Sequence, residues 1–291
     1  MSRGAPPPQS CTTEAVIAHA LELGAAAAGV APVERFHREG SSYLPSGYEP
    51  EQLLPGARSV VVVAVRILDG VLASNLQPLD TTFAYGDFAY VRLNRILGDI
   101  TYNIAARLES AGRPSLPLGA CGSVRVDRAA YEAGRTVGPM RSIFSLKRAA
   151  VLAGVGRRSR SGLVATQNHG TRVRLGAVIT SAPLEGSPVL TGNACPDACR
   201  LCVRACPMGA IGDDGVVNHV KCYSDLGRRG RTEAESLDQM AGANPALGVT
   251  EGYLPHEHGA IDGFGNRVCR SACMAVCPLW NTANRSGGSA F

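Results

Sequence analysis

Four thiols fall within twelve residues at Cys195-Pro-Asp-Ala-Cys199-Arg-Leu-Cys202-Val-Arg-Ala-Cys206-Pro207. A [4Fe–4S] cube takes one thiolate at each iron, and a short turn-rich run supplies three of them at small ordering cost. Where a protein holds two cubes, the fourth Cys of such a run, the one before Pro, ligates the other cube. A second group is therefore expected downstream. The chain has Cys222, then Cys269-Arg-Ser-Ala-Cys273-Met-Ala-Val-Cys277-Pro278. Those eight cysteines suffice for two cubes. Structural zinc and disulfides are the blander readings, but two runs that each close in Cys-Pro are not a zinc-finger pattern.

The remaining two of the ten cysteines, Cys11 and Cys121, fall outside the runs and read as ordinary thiols. Gathering of thiols into ligand-like runs points to metal in a reducing compartment. At 291 residues, 45% hydrophobic and 18% charged, the composition is that of a water-soluble globular chain. The start shows no twin arginine and no continuous apolar signal core, and no run reaches the roughly 18 apolar residues needed to span a bilayer. A cytoplasmic protein without a membrane segment is expected. The net charge of +5 is concentrated at Arg157-Arg-Ser-Arg160 and Gly227-Arg-Arg-Gly-Arg231. These read as solvated loop charge, with docking of an acidic donor as the functional alternative.

Several elements must position the thiols. Thr12 or Thr13 can cap a helix over 14–23, and a Gly/Ala-rich strand follows at 26–31. Residues 37–56 read as loop. Ser59-Val-Val-Val-Val-Ala-Val-Arg66 is an unbroken β-branched run, the pattern of a strand covered on both faces. A long helix spans 88–111, with Ile96, Leu97, Ile100, Ile104 and Leu108 at helical spacing and Gly112-Arg-Pro114 ending it. Weaker segments are a strand within 117–126, a short helix over 129–134, a helix over 143–153, and strands at 163–165 and 172–180. Pro183, Gly186 and Pro188 mark a shift of composition. Strands and helices alternate before it, so the first domain is α/β or α+β. The expected division is 1–185 and 186–291.

From residue 144 the order of features becomes specific. Phe144-Ser-Leu-Lys-Arg-Ala-Ala-Val-Leu-Ala-Gly-Val-Gly156 precedes Ser161-Gly-Leu163. His169-Gly-Thr-Arg-Val-Arg-Leu-Gly-Ala-Val-Ile-Thr-Ser-Ala-Pro-Leu184 then leads into the cysteines. This resembles the shared core of cobalamin-dependent epoxyqueuosine reductases and reductive dehalogenases, as does Gly265-Asn-Arg-Val-Cys-Arg-Ser-Ala-Cys-Met-Ala-Val-Cys-Pro-Leu-Trp-Asn281. The resemblance implies a nitroreductase-like cobalamin-binding domain followed by a bacterial-ferredoxin-like domain with two [4Fe–4S] clusters. It implies Cys195, Cys199, Cys202 and Cys277 on one cube and Cys206, Cys222, Cys269 and Cys273 on the other. It further implies base-off cobalamin, a reduced ferredoxin or flavodoxin-type donor, and reduction of an epoxide, halide or similar bond. A flavin is the alternative cofactor, and an electron-transfer or corrinoid-reactivating protein is the alternative function.

Three departures shape the expectation. Both runs open Cys-x3-Cys where ferredoxins have Cys-x2-Cys. The stretch Gly138–Ile143, where epoxyqueuosine reductases carry an aspartate, holds no carboxylate, and Ser181 stands where they have another. A helical-repeat tail for tRNA is missing after Trp280-Asn281. A small-molecule substrate is expected in place of tRNA, with a homodimer left open. Reduction needs a proton donor, and Lys147, Arg172 and Tyr85 are the candidates, beside the blander readings of surface charge and packing. Glycine lets backbone approach a large flat ligand, which makes Gly154, Gly156, Gly162 and Gly170, with Arg172, the candidate cofactor contacts. His169 reads as a hydrogen-bonded turn residue.

Overall fold

The computed structural model describes residues 11–37, 49–75, 84–120, 124–126, 133, 140–142, 144–218, 221–222, 249–250 and 271–280. The expected short helix over 129–134, Cys121, Cys269 and the 227–231 arginines lie outside the described residues, apart from position 133.

Strands β1 (Ala27–Pro32), β2 (Ser59–Arg66), β3 (Ser115–Leu118) and β8 (Val173–Thr180) form one sheet in the order β1-β2-β8-β3. Every pairing in it is antiparallel, with Val62 opposite Gly29 on one side and Ala177 on the other. The β-branched run of β2 accounts for its place at the centre. Alternate side chains leave a strand on opposite faces, so Val61, Val63 and Val65 enter one core and Val60, Val62 and Ala64 another.

Helix α1 (Thr13–Glu22) and a helix over Arg92–Ser110 cover the first face. Thr12 caps α1, its hydroxyl accepting from the Ala15 N–H at 3.3 Å. The long helix buries Leu93, Leu97, Ile100, Ile104 and Leu108 on one stripe, and Gly112 follows its end at φ +74. Its first turns differ from expectation. Tyr85–Val91 is a π-helical turn that re-aims its side chains before the α-helix begins. The helix Leu146–Leu152 covers the second face with Phe36 and Phe144. Ser145 caps it, and Arg148 is buried in an ion pair with Glu49 at 2.9 Å. A short helix, Pro50–Leu53, occupies part of the stretch expected as loop, and another, Glu34–His37, ends where that stretch begins.

A smaller antiparallel sheet joins β4 (Val124–Val126), β5 (Met140–Ser142) and β9 (Val249–Thr250), and β6 (Arg157–Arg158) pairs with β7 (Val164–Ala165). The chain then leaves β8 along β1, where Ser187 donates to and accepts from Val30 and Arg35 bonds the Ser187 carbonyl at 2.8 Å. Among the described residues no helix is long and apolar enough to cross a membrane.

Candidate iron–sulfur site

Short helices and their stops position the thiols. A turn closes from the Cys199 N–H to the Pro196 carbonyl at 3.0 Å, and a helix follows over Leu201–Ala205 with Cys202 buried. Pro207 cannot continue that helix, so Cys206 sits just past its end. In the second run Ser271 adopts a left-handed conformation at φ 53, ψ 34 and opens the helix Ala272–Ala275. Cys277 and Pro278 come after it. The two helices pack against each other.

This packing gathers Cys195, Cys199, Cys202 and Cys277 around one small cavity, closed by Ser159, Ser161 and the side chains of Leu201 and Leu279. These are the four thiols the resemblance assigns to a single cube. Burial pushes the Cys195 thiol up, and the nearby Cys277 and Cys199 sulfurs add to this against a backbone N–H bond from Arg160. Cys202 is raised in the same way, by burial first and then by Cys195, Cys199 and Cys277. Raised thiols such as Cys195 and Cys202 are poor free thiolates, and a metal that takes the place of their protons removes that cost. Among the described residues no group of His, Cys, Asp or Glu converges as on a single metal ion. A cube asks for another arrangement, four sulfurs standing around a cluster with one on each iron. The donor set fits it.

Of the other four, Cys206 and Cys273 meet in a small apolar cluster with Cys202, Ile211 and Val217. The Ala210 N–H donates to the Cys206 sulfur at 3.4 Å. Cys222 is exposed, its N–H donating to the Asn218 carbonyl, and Cys269 lies outside the described residues.

The arginines at 157–160, expected as solvated loop charge, are instead bonded to the backbone around the first run. Arg158 donates to the Gly215 carbonyl at 2.6 Å, and Arg160 to the carbonyls of Asp197, at 3.2 Å, and Asp213. Arg200 donates to the Asp197 carbonyl at 2.6 Å and pairs with Asp213 at 3.2 Å. The Arg157–Arg160 charge is therefore a set of staples on the cysteine loop. The sequence signal is the charge cluster alone, because its partners lie 34–57 residues further along the chain.

Of the three proton-donor candidates, Arg172 and Tyr85 both reach the 271–275 segment, and Lys147 lies on a helix across the sheet. Arg172 is 7% exposed, donates to the Asp69 carboxylate at 2.7 Å and to the Ala275 carbonyl at 3.0 Å, and so straps the second cysteine run to the end of β2 and the helix that follows it. Burial raises the Asp69 carboxyl, but Arg172 and Arg66 outweigh it and hold it below the ordinary range. Tyr85 is buried, with its ring 5.5 Å from Tyr90 edge-on, and Arg174 lies 4.0 Å over the Tyr90 ring. Burial pushes the Tyr85 hydroxyl well up, with Tyr90 adding to this and a hydrogen bond to Ser271 opposing it. Lys147 is exposed on the helix across the sheet. His169 is a turn residue, its N–H donating to Thr166 Oγ1 at 3.3 Å.

The glycine candidates answer to the protein's own packing. At Gly154, φ +68, a Cβ would lie 2.0 Å from the Pro188 carbonyl oxygen, and at Gly156 2.6 Å from that of Ala165. Gly162 faces Val217, and Gly170 closes a bridge to Thr166.

No protein-family model matches the chain. It is 30% identical over 138 residues to an epoxyqueuosine reductase of Staphylococcus aureus, a match covering 47% of this chain and 30% of that protein. It is 26% identical over 238 residues to one of Gloeobacter violaceus, covering 81% and 61%. Among solved structures, epoxyqueuosine reductase from Streptococcus thermophilus superposes with a TM-score of 0.55 at 19% identity, over 91% of this chain and 65% of that one. The catabolic reductive dehalogenase NpRdhA does so with 0.53 at 17%, over 94% and 32%. The matches thus span less than two thirds of these relatives' own lengths. The chain has the fold that epoxyqueuosine reductases and reductive dehalogenases share, and over part of its length it is related in sequence to the epoxyqueuosine reductases.

Proposed function

We propose that the chain is an iron–sulfur reductase of the epoxyqueuosine reductase and reductive dehalogenase type. In this reading the eight cysteines would hold two [4Fe–4S] clusters, which would supply one-electron transfer from a reduced ferredoxin or flavodoxin-type donor to an organic cofactor for reduction of an epoxide, halide or similar bond in a small organic substrate. The observation that carries this reading is the meeting of Cys195, Cys199, Cys202 and Cys277, from two distant runs, at one cavity. Cys206, Cys222, Cys269 and Cys273 are the proposed ligands of the second cube. The division into a cofactor domain, 1–185, and a ferredoxin-like domain, 186–291, belongs to the same proposal, as does a cytoplasmic setting.

Base-off cobalamin is the organic cofactor in this reading, with flavin as the alternative. One neighbouring structure is described as a B12-dependent dehalogenase. A corrinoid supplies a cobalt centre that takes up two electrons and breaks carbon–heteroatom bonds. The chain's own part is to deliver those electrons and to keep water from the clusters.

The test is anaerobic reconstitution of the full chain with iron and sulfide, followed by offering cobalamin or flavin and identifying what is retained by mass spectrometry. About eight irons per chain and a retained corrinoid support the reading; a chain that takes up no cluster overturns it. Loaded protein is then offered halogenated or epoxide small molecules and, separately, an epoxyqueuosine-modified tRNA stem loop, with which a related reductase has been crystallised. Turnover of the stem loop alone would replace the small-molecule assignment.

A further inference from the structure

We propose that Arg160 positions the Cys195 end of the first cube and raises that cube's reduction potential, an inference that rests on the iron–sulfur reading above. Its backbone N–H donates to the Cys195 sulfur at 3.2 Å. Its guanidinium bonds the carbonyls of Asp197, inside the cysteine run, and Asp213, in the turn beyond it. One residue thus touches a ligand sulfur and both loops that bound it.

The segment that carries Arg160 is fixed. Ser159 and Ser161 on either side of it are buried, line the same cavity, and bond each other at 2.9 Å. The Ser159 N–H and hydroxyl both reach the Leu163 carbonyl, at 2.8 and 2.9 Å, and the Gly162 N–H returns to the Ser159 carbonyl. The turn therefore aims the 160 N–H at the sulfur independently of the side chain.

The charge acts in the same direction. Arg160 gives both terminal nitrogens of its guanidinium to backbone carbonyls, its Nε finds no partner among the described residues, and the Asp213 carboxylate is taken by Arg200. Among the described residues no carboxylate forms an ion pair with the guanidinium. Reduction adds one negative charge to a cube, so a sulfur-bound N–H and a nearby cation stabilise the reduced form more than the oxidised form.

The experiment is a potentiometric titration of both clusters by EPR in the full chain, reconstituted anaerobically, with Arg160→Gln and Arg160→Lys beside the wild type. In Arg160→Gln one cube's reduced-to-oxidised ratio at fixed potential drops about threefold to tenfold, tenfold being about 59 mV for a one-electron couple. The other cube stays put, and Arg160→Lys recovers most of the change. Loss of one cube in Arg160→Gln with recovery in Arg160→Lys equally supports the positioning role. An unshifted Arg160→Gln with full iron content, an equal shift of both cubes, or no recovery in Arg160→Lys overturns the inference. A wild-type chain that takes up no cluster overturns it together with the reading beneath it.

Discussion

Asp69 lies between two guanidiniums, 2.5 Å from Arg66 and 2.7 Å from Arg172, and the second of these also holds the Ala275 carbonyl next to a cysteine helix. Replacing it by Asn removes the 2.7 Å ion pair to the buried Arg172, a loss of about 1–3 kcal/mol given that Asp69 itself is partly exposed. Urea denaturation of wild type and Asp69→Asn at neutral pH measures it. The pH dependence has a definite sign. The folded carboxyl titrates below its ordinary value of 3.8, so its stabilising effect is full above that value and is lost as pH falls through the lowered one. The difference between the two proteins shrinks on acidification below about pH 4. In the sequence Arg172 was visible as a charged residue at a strand start. Its partner was not, because Asp69 lies 103 residues away and nothing local marks the pair. The cap at Thr12 was visible, since its acceptor and donor are three residues apart.

The elements divide in the same way, according to the distance over which their cause acts. The central strand Ser59–Arg66 and the stripe of the long helix follow from side-chain periodicity, and both lie where the pattern puts them. Two features escaped. A strand buried on both faces is commonest in parallel sheets, yet this sheet is antiparallel throughout, because helices cover it from both sides whatever the strand direction. The π-helical turn at Tyr85–Val91 depends on what Tyr85 packs against, which no local pattern encodes. Two glycines test the packing account. Gly154→Ala forces a left-handed residue to carry a Cβ into the Pro188 carbonyl and costs roughly 1–3 kcal/mol. Gly98→Ala, in the long helix, meets nothing within 4 Å among the described residues and stabilises by roughly 0.5–1 kcal/mol. Thermal melts that moved in the same direction for both would remove the argument.

For the whole molecule, the composition shift near residue 186 suggested two units, and the second cysteine run reaches back into the first. Met274, from the helix that carries Cys273, is buried in the core built by Val16, Val63, Leu97 and Ile104. Arg172 holds the carbonyl of the next residue. Two clusters, one held at Cys277 and the other at Cys273, would therefore fix a helix whose Met274 side chain completes this core, and binding energy at the metal would become folding energy there. Chelation of iron from the loaded chain should lower the melting temperature of the sheet itself, read by hydrogen exchange at the β2 amides, and not only loosen the cysteine segment. Met274→Ala should cost about 2–3 kcal/mol in the metal-free chain. It should also reduce the chelation effect on β2, because the side chain that transmits it has gone. Unchanged β2 protection on chelation would mean that the two units fold independently, and that Met274 only fills a hollow in a core that is stable without it.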